Sequence, residues 1–105
     1  MARFAVLALV VLALCGVCLG VEFTFKNYLN QPVNFQVKTA GGVFYVGGCN
    51  ANPGQGCSVS TACVWYDLYA YSMKNEQIGV VKGSYCGKNI CITGGAGMPT
   101  SMGEC

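Results

Sequence analysis

The sequence predicts an all-β protein: a small, disulfide-stapled antiparallel β-sandwich or open barrel of six to seven short strands, preceded by an N-terminal signal-peptide helix. Three observations predict this class. Apolar and polar residues alternate in several short segments, and no long segment after the first twenty residues keeps a helical period. Glycines interrupt every longer run. Eight cysteines in 105 residues are typical of small secreted domains that are held together by disulfides.

The first twenty residues have the pattern of a secretory signal peptide. Arg3 supplies a positive charge, residues 4–19 are mostly apolar, and small residues stand at the recognition positions for cleavage after Gly20. We therefore expect residues 1–20 to be a signal peptide and residues 21–105 to form one disulfide-rich β-domain. Two alternatives stay open: cleavage after the earlier Gly16, and an uncleaved signal anchor, since the apolar run is just long enough to span a bilayer.

Six cysteines remain after this cleavage, and an even number in a short secreted chain predicts three disulfides. Such bridges stabilise a domain that is too small to bury a large core. The sequence leaves their pairing open. Zinc ligation is the competing interpretation, but thiols oxidise first in a secretory compartment, so we expect no metal and no cofactor. The residues expected to form disulfides are Cys49, Cys57, Cys63, Cys86, Cys91 and Cys105.

The first half of the domain predicts four strands. Strict alternation over residues 21–26 and 33–38, with a short polar connection between them, predicts an antiparallel hairpin. A double-glycine turn then leads to a third strand at residues 43–46. Turn-forming residues predict a loop at 49–56, closed locally if its flanking cysteines pair. Residues 57–61 alternate again and predict a fourth strand.

The second half is organised around an aromatic strand at residues 64–73. A polar turn at 74–76 predicts that residues 77–82 return as its hairpin partner. Residues 90–93 are the last predicted strand. The glycine-rich segment 94–103 is expected to be a loose tail that only the final cysteine holds.

The aromatic strand also supplies the candidate binding site. Alternate residues of a strand share a face, so one face is expected to point into the core and the other outward. A row of Trp and Tyr with one carboxylate suits a glycan or a protein partner, and plain packing is the competing interpretation. The expected inner set is Val64, Tyr66, Leu68 and Ala70, and the candidate binding face is Trp65, Asp67, Tyr69 and Tyr71.

Composition excludes several functions. The chain has no histidine and only four acidic residues, which removes histidine-based catalysis and leaves little for a carboxylate pair. We therefore expect no catalytic residues and no enzyme. The basic residues are scattered rather than clustered, so nucleic-acid binding is not expected. The small net charge also weakens the case for membrane contact, which remains open but is not favoured.

These observations together predict a secreted, extracellular, non-enzymatic protein that acts as a binding or interaction module in defence, signalling or host interaction. Its partner would be an extracellular protein or a glycan. Two alternatives stay open: a membrane-active toxin or antimicrobial protein, and a structural component of an extracellular matrix or mucus.

Overall fold

The structure is a computed structural model that describes residues 20–95 and 97–105. The expected signal-peptide helix therefore lies outside the described residues, apart from Gly20. In the described part of the chain, no helix is long and apolar enough to cross a membrane. The described residues form eight strands: β1 Val21–Asn27, β2 Val33–Thr39, β3 Tyr45–Ala51, β4 Gly56–Thr61, β5 Trp65–Ser72, β6 Gln77–Tyr85, β7 Asn89–Gly95 and β8 Met98–Glu104.

The strands form a sandwich of two four-stranded sheets, which confirms the predicted all-β class, with eight strands in the described residues instead of the six to seven expected. The first sheet has the order β4-β1-β7-β8, and the second has the order β3-β2-β5-β6. All pairings are antiparallel except β1 with β7, which run parallel. At the sides of the sandwich, β3 lies against β4 and β6 lies against β8, so neighbouring edges of the two sheets cover each other.

Aromatic and aliphatic side chains from both sheets fill the space between them. Phe25 of β1 stacks on Phe35 of β2, with ring centroids 4.6 Å apart, and Phe23 meets Tyr66 of β5 edge to face. All four side chains are buried. The period-two pattern of β1 and β2 therefore identified their inner faces correctly, because alternation reports which side of a strand is buried.

The predicted hairpin of the first two segments is wrong. β1 pairs with β4 and β7, whereas β2 pairs with β3 and β5 in the other sheet. The two strands face each other through their side chains instead of sharing backbone hydrogen bonds. Alternation indicates the buried face of a strand but not its hydrogen-bonding neighbour. The connection between the two segments was therefore predicted to be a hairpin turn, although it crosses from one sheet to the other.

Asn27, the last residue of β1, holds that crossing in place. Its side chain is fully buried, and its amide nitrogen donates to the carbonyl oxygens of Gln31, at 2.8 Å, and Ala51, at 2.9 Å. Its side-chain oxygen accepts a hydrogen bond from the Leu29 N–H at 2.9 Å. The one side chain thus joins the β1–β2 connection to the end of β3, and it satisfies backbone groups that burial would otherwise leave unpaired.

Three predicted segments have different bounds in the structure. The third strand starts two residues later and continues through Cys49 to Ala51, so the predicted loop at 49–56 shrinks to the residues between β3 and β4. The predicted loose tail is also wrong, since β8 pairs with β7. Backbone pairing with a neighbouring strand orders these glycine-rich segments, and local sequence gives no signal of such a neighbour.

The β5–β6 hairpin is confirmed, with the Ser72 N–H bonded to the Glu76 carbonyl across the predicted turn. Tyr66, Leu68 and Ala70 are buried on the inner face as expected. Val64 is an exception, because it precedes the first residue of β5 and is exposed. Its carbonyl instead accepts a hydrogen bond from the Cys86 N–H at 3.4 Å.

The six cysteines form three disulfides, as predicted: Cys49–Cys57, Cys63–Cys86 and Cys91–Cys105. The first joins β3 to β4 and so connects the two sheets at one side. The second connects the β4–β5 link to the residue that follows β6. The third fastens the C-terminal residue to β7, next to β8.

Removing any one disulfide by changing both cysteines to alanine is expected to lower the free energy of unfolding by about 2.5–3.5 kcal/mol. The loss should follow loop length, because a longer closed loop restricts the unfolded chain more. The sequence separations are 23 for Cys63–Cys86, 14 for Cys91–Cys105 and 8 for Cys49–Cys57, so the first should matter most. Urea unfolding of the three double variants measures this order. A largest loss for Cys49–Cys57 would contradict it.

Candidate functional site

The aromatic strand presents its outer side chains on the exposed face of the second sheet. Trp65 and Tyr85 are paired across β5 and β6, with ring centroids 4.9 Å apart at a tilt of 37°. They are 58% and 45% exposed. This pair therefore places aromatic surface in solvent at the end of the sheet where β5 begins and β6 ends.

Asp67 lies on the same side of β5, but it is only 5% exposed. Its two carboxylate oxygens accept hydrogen bonds from the Gly41 N–H at 2.9 Å and the Gly83 N–H at 3.0 Å. Gly41 belongs to the turn between β2 and β3. Gly83 lies in a bulge of β6 opposite Asp67, with a φ of 72°. The carboxylate therefore fastens the β2–β3 turn and the bulge of β6, and it interrupts the expected aromatic row rather than contributing a solvent-facing group.

Tyr69 and Tyr71 lie beyond Asp67 along β5 and are half-buried. Their rings are nearly parallel, at 19°, with centroids 6.2 Å apart. The Lys38 ammonium lies 4.6 Å from the Tyr69 ring centroid and donates a hydrogen bond to the Tyr71 hydroxyl at 2.9 Å. Lys38 thus fixes both rings through a cation–π contact and a charge-assisted hydrogen bond.

A row of carboxamides runs beside the two tyrosines. Gln36 donates from its amide nitrogen to the side-chain oxygen of Asn34 at 2.7 Å, and Asn34 donates to the side-chain oxygen of Asn50 at 2.7 Å. The Gln36 oxygen and the Asn50 nitrogen stand at the two ends of this row, one an acceptor and the other a donor. The strand register places Gln36 beside Tyr69 and Asn34 beside Tyr71.

These groups form one continuous surface, which we call the amide–tyrosine face. The alternation of β2 turns its polar side chains outward, since its apolar residues fill the core, and pairing with β3 and β5 brings the remaining groups alongside. Tyrosine rings, amides and hydroxyls offer flat apolar area next to hydrogen-bond donors and acceptors. The face consists of Asn34, Gln36, Lys38, Asn50, Tyr69 and Tyr71.

A second exposed surface lies at the end of the sandwich near Trp65. The β2–β3 turn carries Val43, which is 70% exposed, and Phe44, which is 69% exposed, and the first residues of β3 are exposed as well. These two residues were expected inside a strand. The turn bends over the sheet instead, because Gly41 bonds to Asp67 and Gly42, at a φ of 73°, packs so closely on the Tyr69 hydroxyl that a Cβ would clash.

The four residues of the predicted binding face are therefore divided. Trp65 belongs to the exposed end, Tyr69 and Tyr71 belong to the amide–tyrosine face, and Asp67 lies buried between them. Sequence reasoning missed the contribution of β2 and β3, although the polar positions of the alternating β2 segment carried a signal for it. Nothing in the sequence indicated that Asn50 would join the row, since it lay in a predicted loop.

The carboxylates are dispersed over the domain. Asp67 is occupied by backbone amides, Glu22 accepts a hydrogen bond from the Ser60 hydroxyl at 3.3 Å, and Glu104 pairs with Lys88 at 3.6 Å. Glu76 lies in the exposed β5–β6 turn. Within residues 20–95 and 97–105, no three histidine, cysteine or acidic side chains are grouped so that they could hold a metal ion.

Comparisons with known proteins give no functional information. No family model matches the chain, and no curated protein matches it significantly. Among solved structures, the chain is similar to an NMR structure of a protein from Eubacterium rectale, at 14% identity and a TM-score of 0.45. That match covers 79% of this chain and 87% of the other.

Proposed function

We propose that this protein is a secreted, non-enzymatic binding module and that its amide–tyrosine face takes a neutral glycan. The observation that carries the proposal is the row of hydrogen-bonded carboxamides from Gln36 through Asn34 to Asn50, lying beside Tyr69 and Tyr71. Extracellular recognition of this kind fits roles in defence, signalling or host interaction.

The secretory part of the proposal rests on two observations. Three intramolecular disulfides are compatible with an oxidising extracellular environment, and residues 1–20 have the pattern of a signal peptide. The non-enzymatic part rests on the lack of histidine and on the carboxylates, three of which already have partners in the fold.

The chemistry of the face favours an uncharged, polyhydroxylated ligand. Carboxamides both donate and accept hydrogen bonds, which is what sugar hydroxyls require. The face carries no carboxylate, and its one ammonium group, on Lys38, is already engaged by the two tyrosines. Because these side chains hold one another in place, little conformational entropy is lost when a ligand binds.

We expect a glycan array to identify a neutral oligosaccharide, and we expect Asn50→Ala and Tyr71→Phe each to weaken its binding. Each substitution removes about one hydrogen-bonding group, which corresponds to roughly a threefold to tenfold rise in Kd. Titration calorimetry measures the change. Asn50 is exposed at the edge of the sheet, so its replacement leaves the fold intact.

Thr24→Ala is the matched control, since Thr24 is exposed on the outer face of the other sheet, next to Ser58. Its affinity for the glycan should equal that of the wild type. If the folded wild-type protein binds no neutral glycan, or if Thr24→Ala weakens binding as much as Asn50→Ala does, the proposed site is wrong. Self-assembly in light scattering without glycan binding would instead favour the matrix-component alternative.

A further inference from the structure

A third tyrosine, Tyr45, lies beside the amide–tyrosine face. It is the first residue of the edge strand β3, it pairs with Lys38 of β2, and its side chain is 61% exposed. Lys38 contacts Tyr69 and Tyr71 on the outer side of the sheet. Because residues that pair across two strands share a face, Tyr45 belongs to the same outer side. Tyrosine rings therefore lie on both sides of the polar row of β2.

The ring of Tyr45 extends along its own strand instead of away from the sheet. A Cβ at Gly48 would come within 2.9 Å of the Tyr45 hydroxyl oxygen and 3.5 Å of its Cε2 atom. The hydroxyl end of the ring therefore lies over Gly48, three residues further along β3. A glycine in a strand often marks a place where another group approaches the backbone closely. Here it leaves room for the ring, which stays open to solvent on its other side.

An unused hydrogen-bond acceptor lies next to this ring. Gly48 pairs with Gln36, so the hydroxyl end of Tyr45 and the Gln36 side chain are neighbours across two strands. Gln36 donates from its amide nitrogen to Asn34, and its side-chain oxygen forms the acceptor end of the carboxamide row. Asn34 follows about 7 Å along the strand, at the rise of two residues, and Asn50 lies beside it. A ligand ring on Tyr45 thus meets an acceptor, and its neighbour meets a donor.

This arrangement selects one shape of sugar chain. Stacking on an aromatic ring needs a ligand face made of C–H groups, and pyranoses with only equatorial hydroxyls have such a face on both sides, because their axial positions carry hydrogen alone. When β-1,4 bonds link these rings, the linkages are equatorial as well, so the chain is an extended ribbon. An α-1,4 bond is axial on one side and curves the chain. Only the ribbon follows a strand from one end of the carboxamide row to the other.

We propose that Tyr45 is the stacking residue of the glycan site and that the ligand is a β-1,4-linked chain of pyranoses with equatorial hydroxyls. This inference rests on the proposed function, since it assumes that the amide–tyrosine face takes a neutral glycan. One sugar ring lies on Tyr45 and donates a hydroxyl proton to the Gln36 oxygen, while a following ring accepts a hydrogen bond from the Asn50 amide nitrogen.

Titration calorimetry with defined tetrasaccharides tests the ligand class. Cellotetraose carries β-1,4-linked glucose, chitotetraose carries N-acetylglucosamine on the same backbone, and maltotetraose carries the glucose of cellotetraose in α-1,4 linkage. At least one of the two β-linked chains should bind about tenfold or more tightly than maltotetraose. The better of these two identifies the sugar and serves as the probe for the variants.

Two variants of Tyr45 test the stacking role. Tyr45→Ala should raise the Kd of the β-linked probe about tenfold, because the sugar no longer covers the apolar area of the ring. Tyr45→Phe should keep the wild-type affinity, because it retains the ring and loses only the hydroxyl. In the wild-type complex, nuclear Overhauser effects should connect the Tyr45 ring protons with C–H protons of the sugar, which a merely structural role of Tyr45 would not produce.

Tyr28→Ala is the matched control. Tyr28 is also exposed, at 55%, and also has a lysine ammonium near its ring, that of Lys26 at 5.9 Å from the centroid. It lies in the β1–β2 connection, outside the amide–tyrosine face. Its affinity for the β-linked probe should equal that of the wild type. Near-ultraviolet circular dichroism establishes that each variant is folded, so that a loss of affinity reports on the surface.

The outcomes separate this inference from the proposed function. If Asn50→Ala weakens glycan binding but Tyr45→Ala does not, or if Tyr28→Ala weakens it equally, the stacking role is wrong while the glycan site stands. An equal loss in Tyr45→Phe and Tyr45→Ala would also overturn stacking. Maltotetraose binding as tightly as both β-linked chains would overturn the ligand class. If no neutral glycan binds, or if the face captures only a protein, the proposed function fails and this inference fails with it.

Discussion

Replacing Asn27 by aspartate is expected to destabilise the domain by about 3–5 kcal/mol at neutral pH. The change keeps the size of the side chain but replaces its amide nitrogen by an oxygen. That oxygen would face the carbonyls of Gln31 and Ala51, which the nitrogen now contacts at 2.8 and 2.9 Å. The site is fully buried, so water cannot relieve the repulsion. Chemical denaturation at pH 7 measures the loss.

The pH dependence of this variant separates repulsion from a simple loss of packing. Burial beside two carbonyls should raise the pKa of the new aspartate above its value in the unfolded chain. The folded state then holds the proton more strongly, so stability falls as the pH rises from the unfolded pKa to the folded pKa, and the variant recovers stability in acid.

Asn30→Ala, at an exposed position in the same connection, should change stability by less than about 0.5 kcal/mol. An Asn27→Asp variant as stable as the wild type at pH 7 would contradict the hydrogen-bond assignment.

Asp67→Ala is expected to lower the free energy of unfolding by about 3–5 kcal/mol. The substitution removes two hydrogen bonds to a charged acceptor, each worth about 1.5–3 kcal/mol, and leaves the N–H groups of Gly41 and Gly83 without their partner. Asp67→Asn should lose less, because its one remaining oxygen still accepts from one of the two glycines. Urea unfolding of both variants gives the two losses.

Amide hydrogen exchange shows whether Asp67 holds the β2–β3 turn and the β6 bulge in place. In Asp67→Asn, exchange at Gly41 or Gly83 should speed up well before global unfolding, whereas Leu29, which is held by Asn27, should remain protected. Glu76→Gln serves as the control, since Glu76 is an exposed carboxylate in a turn. Unchanged protection of both glycines in Asp67→Asn would show that Asp67 does not hold these two segments.

Asp67 also lies between the amide–tyrosine face and the exposed pair of Trp65 and Tyr85. It also fixes the turn that carries the exposed Val43 and Phe44. A loosened turn would add a conformational entropy cost to any contact made by Val43 and Phe44. Asp67, which interrupts the aromatic row, therefore also determines the position of the exposed turn next to it.

The sequence predicted the features that depend on local pattern and composition. Alternation identified the buried faces of β1, β2 and most of β5, because a side-chain period of two reports burial wherever one face is wet. The even number of cysteines in the predicted domain indicated disulfides, and the polar turn at residues 74–76 indicated the β5–β6 hairpin. The lack of histidine in the sequence was enough to exclude histidine-based catalysis.

Features that depend on distant partners could not be predicted in this way. Asn50 joins the carboxamide row only because β3 lies beside β2. Val43 and Phe44 become exposed only because the turn before them is drawn toward Asp67.

The aromatic strand shows the division between sequence and tertiary structure most clearly. Its sequence by itself determined that Tyr66, Leu68 and Ala70 would be buried and that the alternate residues would point the other way. Only the tertiary structure decided that Asp67, within that outward row, would be buried between Gly41 and Gly83 while Trp65 stayed in solvent. The physical reason is that side-chain direction follows from the local period of the backbone, whereas exposure depends on which distant segments pack above it.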